Sequence, residues 1–582
     1  MKNYKKVYAA FILAGGLILH GCNGIFDDLA INPNQPSMGA YFTSPSAVND
    51  AVMTMYGYMS TQRCLGASGS KTTIIRSDEA SSNSDYGKPG MFGADLNASY
   101  YTIEQPYTLM YTTASQASYI IETAPSVDFS GNEELRNAYM GEAYFWRAFA
   151  HYYLLINFRN ISPIRQMPRN GDDYVRPLEK PAAVWNFIQE DLAHAKELLP
   201  VKGYWDSKNA GRVTKASAAA LLGKAYLYRS GIEQYYGEDK TTFYSEAAKE
   251  FADIIDGKYG TYDLTKNYAD NFDVAHENNE ESILEFQFLG DVDNAGFNPG
   301  LATSGLAFDS RGLMLPGAGV GYEGVVHNWL YNAFVNSIDK DGYTDIRMFS
   351  TMIFNDLDAS IHLRNDAGGN PIRLKGPGGY KWEELYPAKN GKEGFATVSN
   401  PLAHSFKAGI RKGIDCSMPT QTEADGTPKL VGVGAGVKEY VYNQPRAHGV
   451  NWRYIRYADV LMMYAESVVS GGTPASNMTP LQAVNKVRGR ANMSELPSVT
   501  MTDIQNERIL EFALEGHRFY DLLRWGKLAS RFTELQESDP NFKKFISADD
   551  FKGFVTNKHE WLPIPINEVN SNPYITENNP GY

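Results

Sequence analysis

Long helix-forming segments, cut at intervals by proline and glycine, commit this chain to a mainly α-helical fold. The series opens at residues 45–62. Ser44 stands where a hydroxyl caps the first turn, and Pro45 suits the first helical position because its missing N–H would find no partner there anyway. Residues 107–124 form the next candidate and stop at Pro125. Residues 133–158 are long and strongly apolar, with Glu142, Arg147 and His151 among the polar interruptions. Segments 182–199, 214–230 and 243–256 follow, the first of them stopped by Pro200. Each carries apolar residues at helical spacing, so each must bury one face against a neighbour.

The last pair is the most specific. Ala220-Leu-Leu-Gly-Lys-Ala-Tyr-Leu-Tyr228 and Tyr244-Ser-Glu-Ala-Ala-Lys-Glu-Phe251 place small residues at contact points with a recurring aromatic, which resembles a tetratricopeptide helix pair. The ~34-residue period of such arrays is not clean elsewhere, so a degenerate array of helix pairs is expected. Between about 260 and 450 the pattern changes. Residues 281–288 alternate like a strand, and glycine-rich stretches at 290–324, 368–394 and 426–436 carry no periodicity. Loops of that length in a folded domain usually serve a function. One helix, 327–337, interrupts them, and Trp329, Tyr331 and Phe334 on it are expected to pack inward. Helical order returns at 454–466 and 480–490 and closes with a helix-like block over 506–527, for which Thr502 and Gln505 fit a capping box. The coda after it, Trp561-Leu-Pro-Ile-Pro-Ile-Asn-Glu568 and Asn578-Asn-Pro-Gly-Tyr582, is too rich in proline and asparagine for helix or central strand. It is expected to run extended over something else.

At 582 residues the chain has room for two to four domain-sized units, and 43% apolar with 21% charged residues describes a folded protein. A net charge of −13 without a basic run excludes nucleic acid as a partner, since phosphate neutralisation needs clustered Lys and Arg. The excess of tyrosine, 38 against 28 phenylalanines, supplies core rings and also suits wet stacking surfaces. Three cysteines cannot build a disulfide framework; Cys64 and Cys416 read as buried free thiols, with a pairing left open.

Cys22 differs. Lys2, Lys5 and Lys6 precede an apolar run, residues 7–19, that ends in Leu19-His20-Gly21-Cys22. The run is too short to span a bilayer, which takes ~20 helical residues, and its layout is that of a secretory signal. The cysteine after the small residue resembles a bacterial lipobox, with His20 as a departure from it. Cys22 would then be the acylated first residue of the mature chain, held to a membrane by its acyl chains alone. Asp27 and Asp28 resemble an acidic cue for surface display.

Five segments in order carry a wider resemblance: Gly141-Glu-Ala-Tyr-Phe-Trp-Arg-Ala-Phe149, Arg212-Val-Thr-Lys-Ala-Ser-Ala-Ala-Ala-Leu-Leu222, Arg456-Tyr-Ala-Asp-Val-Leu-Met-Met-Tyr-Ala-Glu466, Val484-Asn-Lys-Val-Arg-Gly-Arg490, and the 506–527 block with its coda. Together they resemble the SusD/RagB family of surface glycan-binding lipoproteins. The resemblance implies a mainly α fold, with tetratricopeptide-like helix pairs packed against an irregular, loop-rich half of little β structure. It implies a non-catalytic receptor that captures oligosaccharides and delivers them to a SusC-like TonB-dependent transporter, on the exterior of the outer membrane. No cofactor is implied. The division expected is a signal peptide at 1–21, a tether at 22–40, a helical region at 41–260, a loop-rich ligand-binding region at 261–450 and the signature region at 451–582. Glu507, Arg508, Glu511, Glu515, Arg518, Asp521 and Arg524 stand at helical i, i+3 and i+4 distances and read as scaffold ion pairs, with Arg456, Asp459 and Glu466 tying neighbouring helices.

Enzyme motifs are missing: there is no His-Glu-x-x-His, Cys-x-x-Cys, phosphate loop or Gly-x-Ser-x-Gly elbow. Gly317-Ala-Gly-Val-Gly321 and Gly432-Val-Gly-Ala-Gly436 lack a strand-turn-helix setting, and Asp339-Lys-Asp-Gly-Tyr-Thr-Asp345 has its glycine too early for an EF-hand, so it reads as a turn. A surface glycoside hydrolase is the runner-up, since no carboxylate pair is excluded by spacing, and a peptide receptor on the same scaffold is a third class. Sugars stack on aromatic rings while amides and carboxylates bond their hydroxyls, so irregular segments mixing the two are the candidate contacts. Asn83, Asp85, Tyr86 and Phe92 form one such set, in a loop that the family resemblance also favours. Asp291, Asp293, Asn294, Phe297 and Tyr322 form a second, and Tyr380, Trp382 and Tyr386 a third.

Overall fold

The computed structural model describes residues 42–61, 63–65, 70–82, 92, 96–288, 308–309, 324–376, 379, 381–388, 391–392, 394, 405–412, 430–432, 438–440, 447–448, 450–539 and 554–582. Among the described residues, six helices of at least 12 residues form the first half: α1 Pro45–Ser60, α2 Tyr101–Thr123, α3 Glu133–Phe158, α4 Pro181–Leu198, α5 Lys215–Tyr236 and α6 Tyr244–Ile255. They pack in chain order, α2 on α3, α3 on α4, α4 on α5 and α5 on α6. Small residues set the close approaches. A Cβ on Gly223 of α5 would sit 2.7 Å from the Phe251 ring of α6, and one on Gly141 of α3 would sit 2.9 Å from the Leu199 backbone nitrogen. The fold is the mainly α arrangement expected, and the quoted helix pair is where its small residues placed it.

Several boundaries moved. The second helix begins at Tyr101, six residues before the expected start. Pro106 lies inside it and removes one backbone bond without ending it, because Ile103, Pro106, Tyr107 and Met110 bury a continuous face. Residues 454–456 are strand, not helix. β6 (Trp452–Arg456) alternates and pairs antiparallel with β2 (Ser282–Phe286), and α8 (Tyr457–Val469) starts only after it. The 506–527 block is two helices. α10 (Met501–Glu511) and α11 (Arg518–Arg524) are separated by a turn in which Leu514 and Gly516 take positive φ, 61° and 86°. Glycine is favoured at 516 on two counts, since a Cβ there would also meet Thr73 Oγ1 at 2.7 Å. The capping box of α10 is Thr500 with Asp503, two residues before the expected pair. Between α8 and α10 lies α9 (Pro480–Arg490), and α12 (Leu528–Ser538) follows α11.

The coda straps the end of α3, although residues Ile566–Ser571 coil into a short helix. Leu562 N–H donates to the Asn157 carbonyl at 2.7 Å, and Asn579 Nδ2 donates to the Phe158 and Leu562 carbonyls, each at 2.7 Å. The last carbonyls of a helix have no partner within it, so the strap satisfies groups that α3 leaves open.

The signature charges are buried and pair mainly between elements; of those read as local pairs, Asp521 with Arg524 is one. Arg456 meets Glu281 and Glu511 at 2.6 Å and Glu515 at 2.9 Å. Arg347 joins Asp345, Glu507 and Glu511, Arg490 joins Glu281 and Glu511, Arg488 joins Glu507, and Lys412 joins Glu515. Five cations thus face five carboxylates. A second set, Lys224, Arg508 and Arg524 with Asp459, Asp521 and Glu466, balances in the same way.

Candidate functional site

The Arg76-Ser77-Asp78-Glu79 segment is fully buried and locks the strand that follows it. The Arg76 guanidinium lies 4.0 Å over the Phe519 ring and donates to the carbonyls of His559 and Glu560, which lead into the coda. Asp78 accepts from Arg518 at 2.9 and 3.1 Å and from Arg531 at 2.5 Å. Burial alone would raise the Asp78 carboxyl, but the two arginines outweigh it and hold it below the usual range. Glu79 accepts the Leu514 N–H at 3.0 Å. Arg76, Asp78 and Glu79 therefore fasten this strand to the turn and helices of the C-terminal region and to the residues that lead into its strap.

β1 (Ala80–Ser82), the strand so fixed, is the edge of a small antiparallel sheet. Its neighbours in order are β3 (Gly324–Val326), β5 (Ala408–Ile410) and β4 (Met352–Phe354). The register aligns Ser82 with Gly324 and Ile410 with Met352 at one end, and Ala80, Val326, Ala408 and Phe354 at the other. Strands lie ~4.8 Å apart, so each end spans only ~15 Å. Each end carries a groove.

At the first end, Phe349 and Ser350 precede β4 and Arg411 follows β5. They line a cleft of about 510 Å³ with Lys266, Arg364, Ile372, Arg373 and Lys375 among its other walls. None of its described lining residues is a carboxylate or a histidine. Arg373 is held from behind by Asp356 at 2.6 Å and Glu383 at 2.8 Å, Arg364 by Asp339, and Arg490 by Glu281 and Glu511. Asp339, once a calcium hint, is thereby accounted for: its carboxylate also accepts the N–H groups of Asp341 and Tyr343 at 2.8 and 3.1 Å. Among the described residues no cluster of metal-ligating side chains occurs.

At the second end, α7 (Asn328–Val335) leaves β3. His327 Nδ1 donates to the Asp78 carbonyl at 2.7 Å, so its Nε2 accepts from Ser81 Oγ at 2.6 Å, and burial keeps the ring neutral by lowering its pKa. Trp329 is half-buried, packing against the core as expected while one side stays open to the groove. Its Nε1 donates to the same carbonyl, and Arg531 lies 4.3 Å from the ring. Tyr331 and Phe334 pack inward as well. Trp329, Asn506, Trp525, Arg531 and Glu534 border a groove of about 430 Å³, where Glu534 is the carboxylate among the described lining residues. Hydrolysis of a glycosidic bond takes two carboxylates flanking it, and neither groove presents such a pair from its described walls.

The sequence candidates divide. Three are corrected by burial: Phe92 is 3% exposed, and Trp382 and Tyr386 are each 5% exposed. Phe92 packs edge-on to Phe532 and Phe554 and stacks on His559, while Trp382 and Tyr386 pack on each other with ring centroids 4.6 Å apart. These rings serve the core; their loop setting concealed it. Asn83, Asp85, Tyr86, Asp291, Asp293, Asn294, Phe297, Tyr322 and Tyr380 lie outside the described residues, as do Cys22 and Cys416. Cys64 is a buried free thiol whose pKa burial raises. The points of attachment are informative all the same. Residue 83 follows Ser82 and residue 323 precedes Gly324, and those two strand residues are partners at the end of the sheet that carries the 510 Å³ groove. Sequence reasoning missed that groove altogether, because its walls come from segments more than 200 residues apart.

Residues 422–582 match the model of the SusD family, and residues 31–227 match one described as starch-binding associating with outer membrane. A SusD-like protein of Bacteroides ovatus is 24% identical over 532 residues, covering 90% of this chain and 83% of its own. SusD-like protein P2 of Formosa agariphila is 24% identical over 608 residues, with both chains fully covered. Among solved structures, a SusD superfamily protein from Bacteroides vulgatus superposes with a TM-score of 0.67 at 22% identity, over 93% of this chain and all of its own. Surface glycan-binding protein A from Bacteroides thetaiotaomicron in complex with laminarihexaose gives 0.65 at 19%, over 92% of this chain and all of that one. At such identities the solved structures establish a shared fold.

Proposed function

The chain belongs to the SusD/RagB family, and on that premise we propose that it is a non-catalytic surface receptor that captures oligosaccharides and passes them to a SusC-like TonB-dependent transporter. One observation carries the reading. A single end of the small sheet gathers an open 510 Å³ groove and the attachment points of segments 83–91 and 310–323, and the described walls carry no carboxylate pair of the kind glycoside hydrolysis uses. Asn83, Asp85, Tyr86, Asp291, Asp293, Asn294, Phe297, Tyr322 and Tyr380 remain the proposed ligand contacts. The laminarihexaose complex of the Bacteroides thetaiotaomicron protein supports a glycan as ligand on this fold.

Protein lacking residues 1–21 is expected to retain oligosaccharides from an immobilised panel and to release no reducing ends from them. Reducing-end release by the pure protein would replace the receptor with the hydrolase.

Attachment through an acylated Cys22, with residues 22–40 as tether, would place the protein on the outer membrane facing outward. Among the described residues no helix is long and apolar enough to cross a membrane. Substituting Cys22→Ala is expected to abolish incorporation of a labelled fatty acid in cells. Unchanged labelling would refute the anchor.

A further inference from the structure

The chain as a whole carries a net charge of −13, yet the walls of the 510 Å³ groove reverse that sign. Six of the described lining residues are cations, Lys266, Arg364, Arg373, Lys375, Arg411 and Arg490, and none is an acid. Three of the arginines are partly neutralised from outside the groove, as the pairs above describe. Lys266 and Lys375 are not. Both are exposed, and neither forms an ion pair or a hydrogen bond with any described residue. Two exposed lysines on the lining of a cleft whose described walls carry no acid create a positive potential that the overall charge does not require.

Between the cations the surface is apolar. Ile372 is 53% exposed and Ile346 39% exposed, and half-buried Phe349 completes the strip. Apolar strip and cationic rim select different parts of one ligand. A sugar ring offers a C–H face to the strip, and a carboxylate or sulfate on that ring reaches an ammonium at the rim. The volume falls within the ~300–1,000 Å³ typical of small-molecule sites. A free inorganic anion would use the rim and ignore the strip; a neutral sugar would do the reverse.

We infer that the groove at the Ser82–Gly324 end of the sheet binds an anionic oligosaccharide, one whose sugar units carry carboxylate or sulfate groups, through Lys266 and Lys375. The inference rests on the glycan-receptor reading above and names the substrate class. Charge contacts at an exposed rim are screened by salt, so affinity for such a ligand falls as ionic strength rises.

The test is calorimetric titration of the protein lacking residues 1–21 with three probes: an oligogalacturonate, a sulfated laminarin oligosaccharide and neutral laminarihexaose. At least one anionic probe is expected to bind ten-fold or more tightly than the neutral one, and to weaken several-fold between 50 and 500 mM salt (about 14 and 4 Å of screening length). The pair Lys266→Glu and Lys375→Glu is expected to cost ten-fold or more for the anionic probe while leaving the circular dichroism spectrum and the unfolding midpoint in place, since both side chains are exposed. The two anionic arms separate carboxylate from sulfate recognition. Laminarihexaose binding as tightly as both anions, or charge reversal leaving their affinity unchanged, would overturn the inference and leave the glycan receptor standing. Absence of binding by all three probes and by the wider panel would overturn both.

Discussion

Replacing Arg456 with methionine is expected to lower the stability of the protein by about 3–5 kcal/mol, several times what the loss of an exposed ion pair costs. The guanidinium is fully buried and makes hydrogen bonds to three carboxylates at once, Glu281, Glu511 and Glu515, and to the Glu511 carbonyl at 2.8 Å. Its value does not lie in the net attraction, because taking an ion pair from water into the interior costs about as much as the pair returns. The loss comes from what is left behind. Glu511 keeps Arg347 and Arg490, but Glu515 keeps only Lys412 within the described network, and the charge balance of five against five is broken. Burial would raise the Glu511 carboxyl; the surrounding arginines override it and hold it far below the usual range. Removing one of them lets the desolvation cost reappear. Urea titration of the variant measures the effect as a fall in midpoint. The exposed i, i+3 pair Arg136–Glu133 supplies the contrast, since Arg136→Met there is expected to change stability by no more than about 0.5 kcal/mol. Equal effects at the two sites would show that the buried network contributes nothing particular.

The same network explains what was legible in the sequence. Helices α3, α4 and α9 were readable because apolar periodicity and capping residues are local signals, and the structure places their ends within a residue of expectation. The partners of Arg508 and Arg518 were not. They lie on other elements, as far away in the chain as Asp78 lies from Arg518, where helical spacing suggested local pairs; Arg456, Asp459 and Glu466 tie neighbouring elements as expected. Loop aromatics misled for a related reason. Phe92, Trp382 and Tyr386 sit among glycines and polar residues in the sequence, yet all three rings are buried, and burying a ring of that size is worth several times a surface contact. The groove itself was illegible because it is a product of register. Only the pairing of Gly324 with Ser82 and of Met352 with Ile410 brings Lys266, Phe349, Lys375 and Arg411 to one end of one sheet.

Glu79→Gln is expected to leave stability near that of the parent at pH 5 and to exceed it by about 3 kcal/mol at pH 7–8. Burial, and after it the adjacent Asp78 carboxylate, push the Glu79 carboxyl up to about 8. The Leu514 N–H and the Ser77 hydroxyl, at 3.0 and 3.2 Å, donate to the Glu79 carboxyl and favour its ionised form, and burial outweighs them. A carboxyl raised on folding contributes fully below its unfolded value of about 4.3 and loses that contribution as pH climbs toward 8. The parent therefore gives up stability across neutral pH to keep Glu79 protonated. Glutamine can still accept from the Leu514 N–H through its amide oxygen, without a proton to lose. Its amide group adds a cost that does not vary with pH and so cancels in the difference between the two pH values. Urea midpoints of parent and variant, taken at pH 5 and pH 8, measure that difference directly. Parallel pH profiles would mean that Glu79 is ionised in the folded protein, stabilised by Arg518 beyond what its burial costs. A widening gap at pH 8 would identify the segment that anchors β1 as a part of the fold that loses stability as pH rises.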